Sequence, residues 1–123
     1  MTVLLIALGA AIGAPARYLA DRAVQARHDA VFPWGTFTVN LIGSFVLGVV
    51  AAAAASGVIG PAVVAAVGTG FCGALTTYST FGYETLRLTE DRAWFEAAAN
   101  VAASVAGGLG AAAIGWAVGS ALS

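Results

Sequence analysis

The placement of charge constrains this chain more than any other feature. Residues 30–83, 54 in succession, carry no charged side chain. The charged residues fall in two clusters: Arg17, Asp21, Arg22, Arg27 and Asp29, then Glu84, Arg87, Glu90, Asp91, Arg92 and Glu96. A water-soluble domain carries about a quarter charged residues, against 9% here. A membrane crossing takes about 20 apolar residues over a hydrocarbon core of about 30 Å. The uncharged run is therefore too long for one crossing and suits two, with a turn at Ser56-Gly57-Val58-Ile59-Gly60-Pro61, a cluster of helix breakers.

One more span before Arg17 and one after Glu96 make four. The sequence thus predicts a single all-α integral membrane domain over residues 1–123, with helices at about 2–20, 33–55, 61–86 and 93–122 and a polar connection between the first two. Ala14-Pro15-Ala16 imitates a signal cleavage site, but no Lys or Arg precedes the apolar stretch, so the segment is expected to be a span. The single cysteine, Cys72, allows no internal disulfide.

Four crossings place both termini on one side and both charged connections on the other. All five Lys/Arg residues lie in or beside the connections, so these are expected in the cytoplasm and the termini outside. Tyr18, Trp34, Tyr83 and Trp94 flank the charged clusters, where amphipathic rings favour the interface.

Inside lipid, helices approach through small residues and polar contacts. Gly9 and Gly13 in the first helix, and Gly115 and Gly119 in the last, predict thin, tightly packed helices without bulky ligand pockets. Thr36, Asn40, Ser44 and Gly48 recur every four residues and share one helix face. Asn100, Ser104 and Gly108 form a second such ladder. Either ladder could be an interhelical hydrogen-bonding seam or the wall of a pathway. Asn40 lies near mid-membrane, where an amide needs a partner or a polar cavity.

The third helix is the most unusual, and it is expected to be broken at a hydroxyl-rich stretch. It carries Gly68, Gly70 and Gly73, then hydroxyls at Thr76, Thr77, Tyr78, Ser79 and Thr80. Glycine loosens a helix, and hydroxyls can satisfy backbone groups freed by an interruption. Interrupted backbone at this depth must be buried in protein or line a cavity, and its freed carbonyls suit a cation. The other reading is a continuous helix whose hydroxyls bond back to carbonyls one turn earlier.

The sequence argues against an enzyme. Its one histidine, His28, lies in a charged connection, and there is no metal cluster, nucleophile–base pair or phosphate loop. A proton-coupled exporter would carry an ionisable residue at mid-membrane, which residues 30–83 lack. What remains is a narrow path lined by an amide, hydroxyls and electropositive ring edges, suited to a small hydrated anion.

Three stretches carry a resemblance: Gly13-Ala14-Pro15-Ala16-Arg17-Tyr18, the run from Gly35 to Phe45, and Gly70-Phe71-Cys72-Gly73-Ala74-Leu75-Thr76-Thr77-Tyr78-Ser79-Thr80-Phe81. In length, order and spacing the chain resembles the CrcB/Fluc family of bacterial fluoride channels, residents of the inner (plasma) membrane. The resemblance implies an antiparallel dimer of four-helix subunits in the lipid bilayer, with fluoride as the transported ion. It implies a structural, untransported Na⁺ at the dimer centre, held by the backbone carbonyls of Gly73 and Thr76. It implies a fluoride pathway through Asn40 and Thr36, the aromatics Tyr78 and Phe81, the hydroxyls of Ser79 and Thr80 between them, and a fourth-helix track of Asn100, Ser104 and Gly108. Arg17 would stand near a vestibule. The implied mechanism is passive. HF enters the cell, ionises at the higher internal pH, and the trapped anion leaves down its gradient, which reduces its toxicity. The chain departs from the family pattern at Tyr78, where phenylalanine is usual, and at Asn100 and Gly108, in place of a tyrosine and a hydroxyl.

The five-to-zero arginine bias bears on the dimer, because an antiparallel self-pair needs one chain to insert both ways. A related subunit of opposite orientation is the expected partner, with self-pairing the alternative. Two competing functions fit the residues less well. A small multidrug or cation exporter would need an acidic residue in the first helix, and residues 2–16 contain none. A structural membrane subunit would explain the glycines but not Asn40 beside the hydroxyl run.

Overall fold

The computed structural model describes residues 2–27, 32–76 and 79–122. Their regular structure is helical, without strands among the described residues. α1 spans Thr2–Ala26, α2 Trp34–Ala55, α3 Pro61–Leu75, α4 Ser79–Glu90 and α5 Trp94–Leu122. At 1.5 Å per residue, the 22 residues of α2 rise about 33 Å, enough for a crossing. α1, α2 and α5 are each long and apolar enough to cross a membrane; α3 is apolar but shorter. Large apolar side chains such as Val3, Ile12, Phe95 and Leu109 point outward and are at least 66% exposed. Outward apolar faces are what lipid favours, and the chain is an all-helical membrane protein.

Two boundaries differ from the sequence reading. The expected polar connection after Ala20 is helical through Ala26. The cause is the start of α2, whose Pro33 cap gives its first amides no side-chain acceptor. The extra turns of α1 supply one: the Gln25 side-chain oxygen accepts from the Gly35 amide at 3.1 Å. The Asp21 carboxylate also lies directly against Gly35, where a negative charge favours the helix N-terminus. The other differing boundary is the far end of the helix expected over residues 61–86 with an interruption inside it, since α4 runs on to Glu90. α3 ends at Leu75, Thr76 is extended (φ −81°, ψ 159°), and α4 begins at Ser79.

Within α3, Val64–Cys72 is wound as a π-helix, a wide winding that is rare and usually one turn long. This stretch is clasped by α1 through glycine. Space for a side chain on Gly9 is filled by the Ala66 carbonyl, and on Gly13 by the Phe71 carbonyl; Gly70 rests on the backbone of Ile6. A second pair, α2 with α5, closes the same way. Gly48 lies against the Ala112 carbonyl and Gly115 against the Phe45 carbonyl. These two pairs are the most extensive contacts in the molecule, with α1–α2 and α2–α3 joining them.

The turns at the two helix ends share one design. After α2, Gly57 takes φ +78°, its amide bonds Ala54 O, and the Val58 amide bonds Ala53 O. This is a Schellman termination, and Pro61 then opens α3 at its first position. After α4 the same pair of bonds recurs, Arg92 to Thr89 O and Ala93 to Leu88 O. Here the left-handed residue is Arg92 (φ +59°) rather than glycine.

Candidate functional site

Where the glycines of α2, α3 and α5 do not meet a neighbouring backbone, they leave space. Gly68 and Gly108 meet nothing nearer than 3.6 Å, and Gly73 nothing within 4 Å. The result is a cleft of about 370 Å³, so the expectation of helices too tight for a ligand-sized pocket does not hold here. Asn40 and Ser44 reach it from α2, Ser104 and Gly108 from α5, and Phe81 from the first turn of α4. The end of α3 contributes Cys72, Gly73 and Thr76. The Thr76 hydroxyl donates to the Cys72 carbonyl at 2.9 Å, the back-bond anticipated for such residues, at the point where the helix ends.

The lining thus combines an amide, hydroxyls, one aromatic ring and apolar contacts from Leu47 and Val105. Among the described residues around it there is no carboxylate, ammonium or guanidinium. Such a surface can replace part of an ion's hydration shell without fixing it by opposite charge. No group of three or more His, Cys, Asp and Glu able to hold a metal occurs among the described residues. Any cation at the α3 terminus would therefore be held by backbone or hydroxyl oxygen, the donors preferred by hard ions.

The remaining expected site residues are placed as follows. Thr36 is 4% exposed, does not line the cleft, and hydrogen-bonds the Glu84 carboxyl. Asn100 is 1% exposed and lies behind the cleft wall. Its Nδ2 donates to Thr85 Oγ1 at 2.8 Å, and its Oδ1 accepts from Ser104 Oγ at 3.3 Å. Thr85 Oγ1 in turn donates to the Phe81 carbonyl at 2.9 Å. Arg17 is half-buried on α1 and does not line the cleft. Tyr78 lies outside the described residues, as do the side chains of Ser79 and Thr80.

Glu84 and Thr85 were not singled out from the sequence. Glu84 Oε1 is buried, with no hydrogen-bond partner among the described residues, and its carboxyl is within electrostatic reach of Asp21 and Arg87. A signal existed: both follow Phe81 at three and four residues and share its face. It was masked because Glu84 opens the second charged cluster and reads as solvated.

Residues 4–116 match the family described as CrcB-like protein, Camphor Resistance (CrcB). The chain is 63% identical over 112 residues to "Fluoride-specific ion channel FluC 1" of Streptomyces avermitilis, covering 91% of this chain and 90% of that one. It is 63% identical over 123 residues to the protein of the same name from Frankia casuarinae, covering 96% and 95%. Over 100 residues it is 45% identical to "Fluoride-specific ion channel FluC" of Shewanella woodyi, covering 81% of each.

Proposed function

Since the chain belongs to the CrcB family, we propose that it is one subunit of a fluoride-specific channel that lets cytoplasmic fluoride leave passively and so limits its toxicity. The observation that carries this reading is the uncharged, donor-bearing cleft. Asn40, Ser44 and Ser104 converge there with the Phe81 ring, and no fixed charge among the described residues lining it holds an anion too tightly to leave. Asn40 and the hydroxyls replace hydration water, and the Phe81 ring edge offers weak positive potential. Tyr78, Ser79 and Thr80 continue the path, and Thr36 and Arg17 belong to its approaches. HF that enters and ionises inside the cell is the source of the anion.

In this reading α3 and α4 are two halves of one crossing, interrupted after Leu75, which makes four crossings of a bacterial inner membrane. The subunit pairs antiparallel, with a related chain of opposite orientation as the favoured partner and with itself as the alternative. A structural Na⁺ at the dimer centre is held by the Gly73 and Thr76 carbonyls. The fit rests on two observations: Gly73 is exposed and open on its side-chain side, and Thr76 leaves the helical conformation. The ion's contribution is to neutralise converging carbonyl dipoles and hold the subunits together.

The test is fluoride efflux from liposomes loaded with fluoride, with this chain alone and with a co-expressed relative of opposite topology. Rapid efflux in at least one arm, with chloride retained, is expected. No fluoride efflux in either arm overturns the reading.

A further inference from the structure

Asn100 is expected from the sequence as a wall residue of the anion path, yet its side chain is fully buried behind that wall. It joins Ser104, which does line the cleft, to Thr85 on α4. The three bonds run in one sense. Ser104 donates to Asn100, Asn100 to Thr85, and Thr85 to the Phe81 carbonyl. In this register the Ser104 proton is committed away from the cleft, so the hydroxyl turns lone pairs towards it. That polarity repels an anion.

The Ser104–Asn100 bond is the longest of the three at 3.3 Å, and a carboxamide presents a donor and an acceptor of nearly equal shape. Half a turn of the Asn100 amide puts its NH₂ against Ser104 Oγ and its oxygen against Thr85. Every polar atom of the amide pairing remains satisfied. Ser104 now accepts, and its proton is free to point into the cleft; Thr85 now donates to Asn100 instead of to Phe81. We propose that Asn100 is a positioning residue whose amide has these two registers, one presenting lone pairs of Ser104 to the cleft and one presenting its proton to an anion. An anion in the cleft selects the second register because only that one gives it the Ser104 donor. The inference rests on the channel reading above and deepens it.

The chain has two asparagines, Asn40 and Asn100. Selective ¹⁵N-asparagine labelling of the full chain in lipid nanodiscs, with its partner subunit where efflux requires one, therefore gives two side-chain amide pairs. Asn100→Leu assigns them. Adding sodium fluoride to the wild type is expected to shift the Asn100 pair, and to leave it still in Ser104→Ala. Efflux is expected to fall about tenfold in each of Asn100→Leu and Ser104→Ala, the worth of one hydrogen bond at about 1.4 kcal/mol. The double variant is expected to be no slower than Ser104→Ala, since Asn100 acts through that hydroxyl. Movement of the Asn40 pair alone, or multiplicative losses in the double variant, overturns the relay and leaves the channel reading intact. No movement of either pair together with no wild-type efflux overturns both.

Discussion

Asn40 contributes the amide of the cleft, and its replacement separates donor chemistry from packing. Asn40→Leu keeps a similar volume and removes a donor to the anion, so fluoride efflux is expected to drop at least about tenfold. Glycines make a complementary pair of tests. At Gly115 an added methyl meets the Phe45 carbonyl, backbone that cannot step aside. Gly115→Ala is therefore expected to lower stability by about 1–3 kcal/mol, read as a lower unfolding temperature. At Gly73 nothing lies within 4 Å, so Gly73→Ala should leave the fold of the subunit unchanged and weaken only its assembly, measured by the dimer fraction in detergent. At this scale four-residue spacing was informative in part, since Thr36 and Asn100 belong to the ladders and do not line the cleft. Asn40 and Ser44 on one helix, and Ser104 and Gly108 on another, do meet at one cleft. Glu84 and Thr85 escaped because their relation to Phe81 runs within a segment whose charge density suggested water on all sides.

Among the elements, the turn after α4 departs most plainly from its counterpart. The termination after α2 uses Gly57 for its left-handed residue, whereas the one after α4 forces Arg92 into it, at a cost of about 1 kcal/mol. Arg92→Gly is expected to recover about that much stability in thermal unfolding. The same change removes one of the five basic residues that orient the chain, so a C-terminal reporter should show a weaker topological bias in the variant. The breaker cluster at Ser56–Pro61 was readable because every device in it is local: a left-handed glycine, then a proline at a first helical position. The extension of α1 to Ala26 was not, because it answers a need in another element, an acceptor for the Gly35 amide at the start of α2. The π-wound stretch of α3 was equally hidden. Its glycines announced a weak helix, but the winding accompanies the clasp of Gly9 and Gly13 on Ala66 and Phe71, contacts that depend on tertiary structure.

For the whole molecule, the charge map bears on assembly. With all five arginines in or beside the two connections, insertion is expected to be single-sided. Reporter fusions at the C-terminus of the wild type should give signal from the outer face alone; equal signal from both faces would restore self-pairing as the favoured arrangement. That membrane class and helix succession could be read from the sequence follows from the solvent. Lipid demands long uncharged runs, and those survive any detail of packing. How the helices approach one another was less legible, since glycine spacing names the close contacts without naming their partners. Those contacts have a mechanical consequence. The α1–α3 and α2–α5 seams join main chain to main chain, as at Gly9 on Ala66 and Gly48 on Ala112, with no rotatable side chain between. Such joints have little compliance, because nothing in them can swing aside and return. On the channel reading proposed above, the cleft beside them is accordingly stiff, and it selects as a fixed gauge does, by what fits without deforming it.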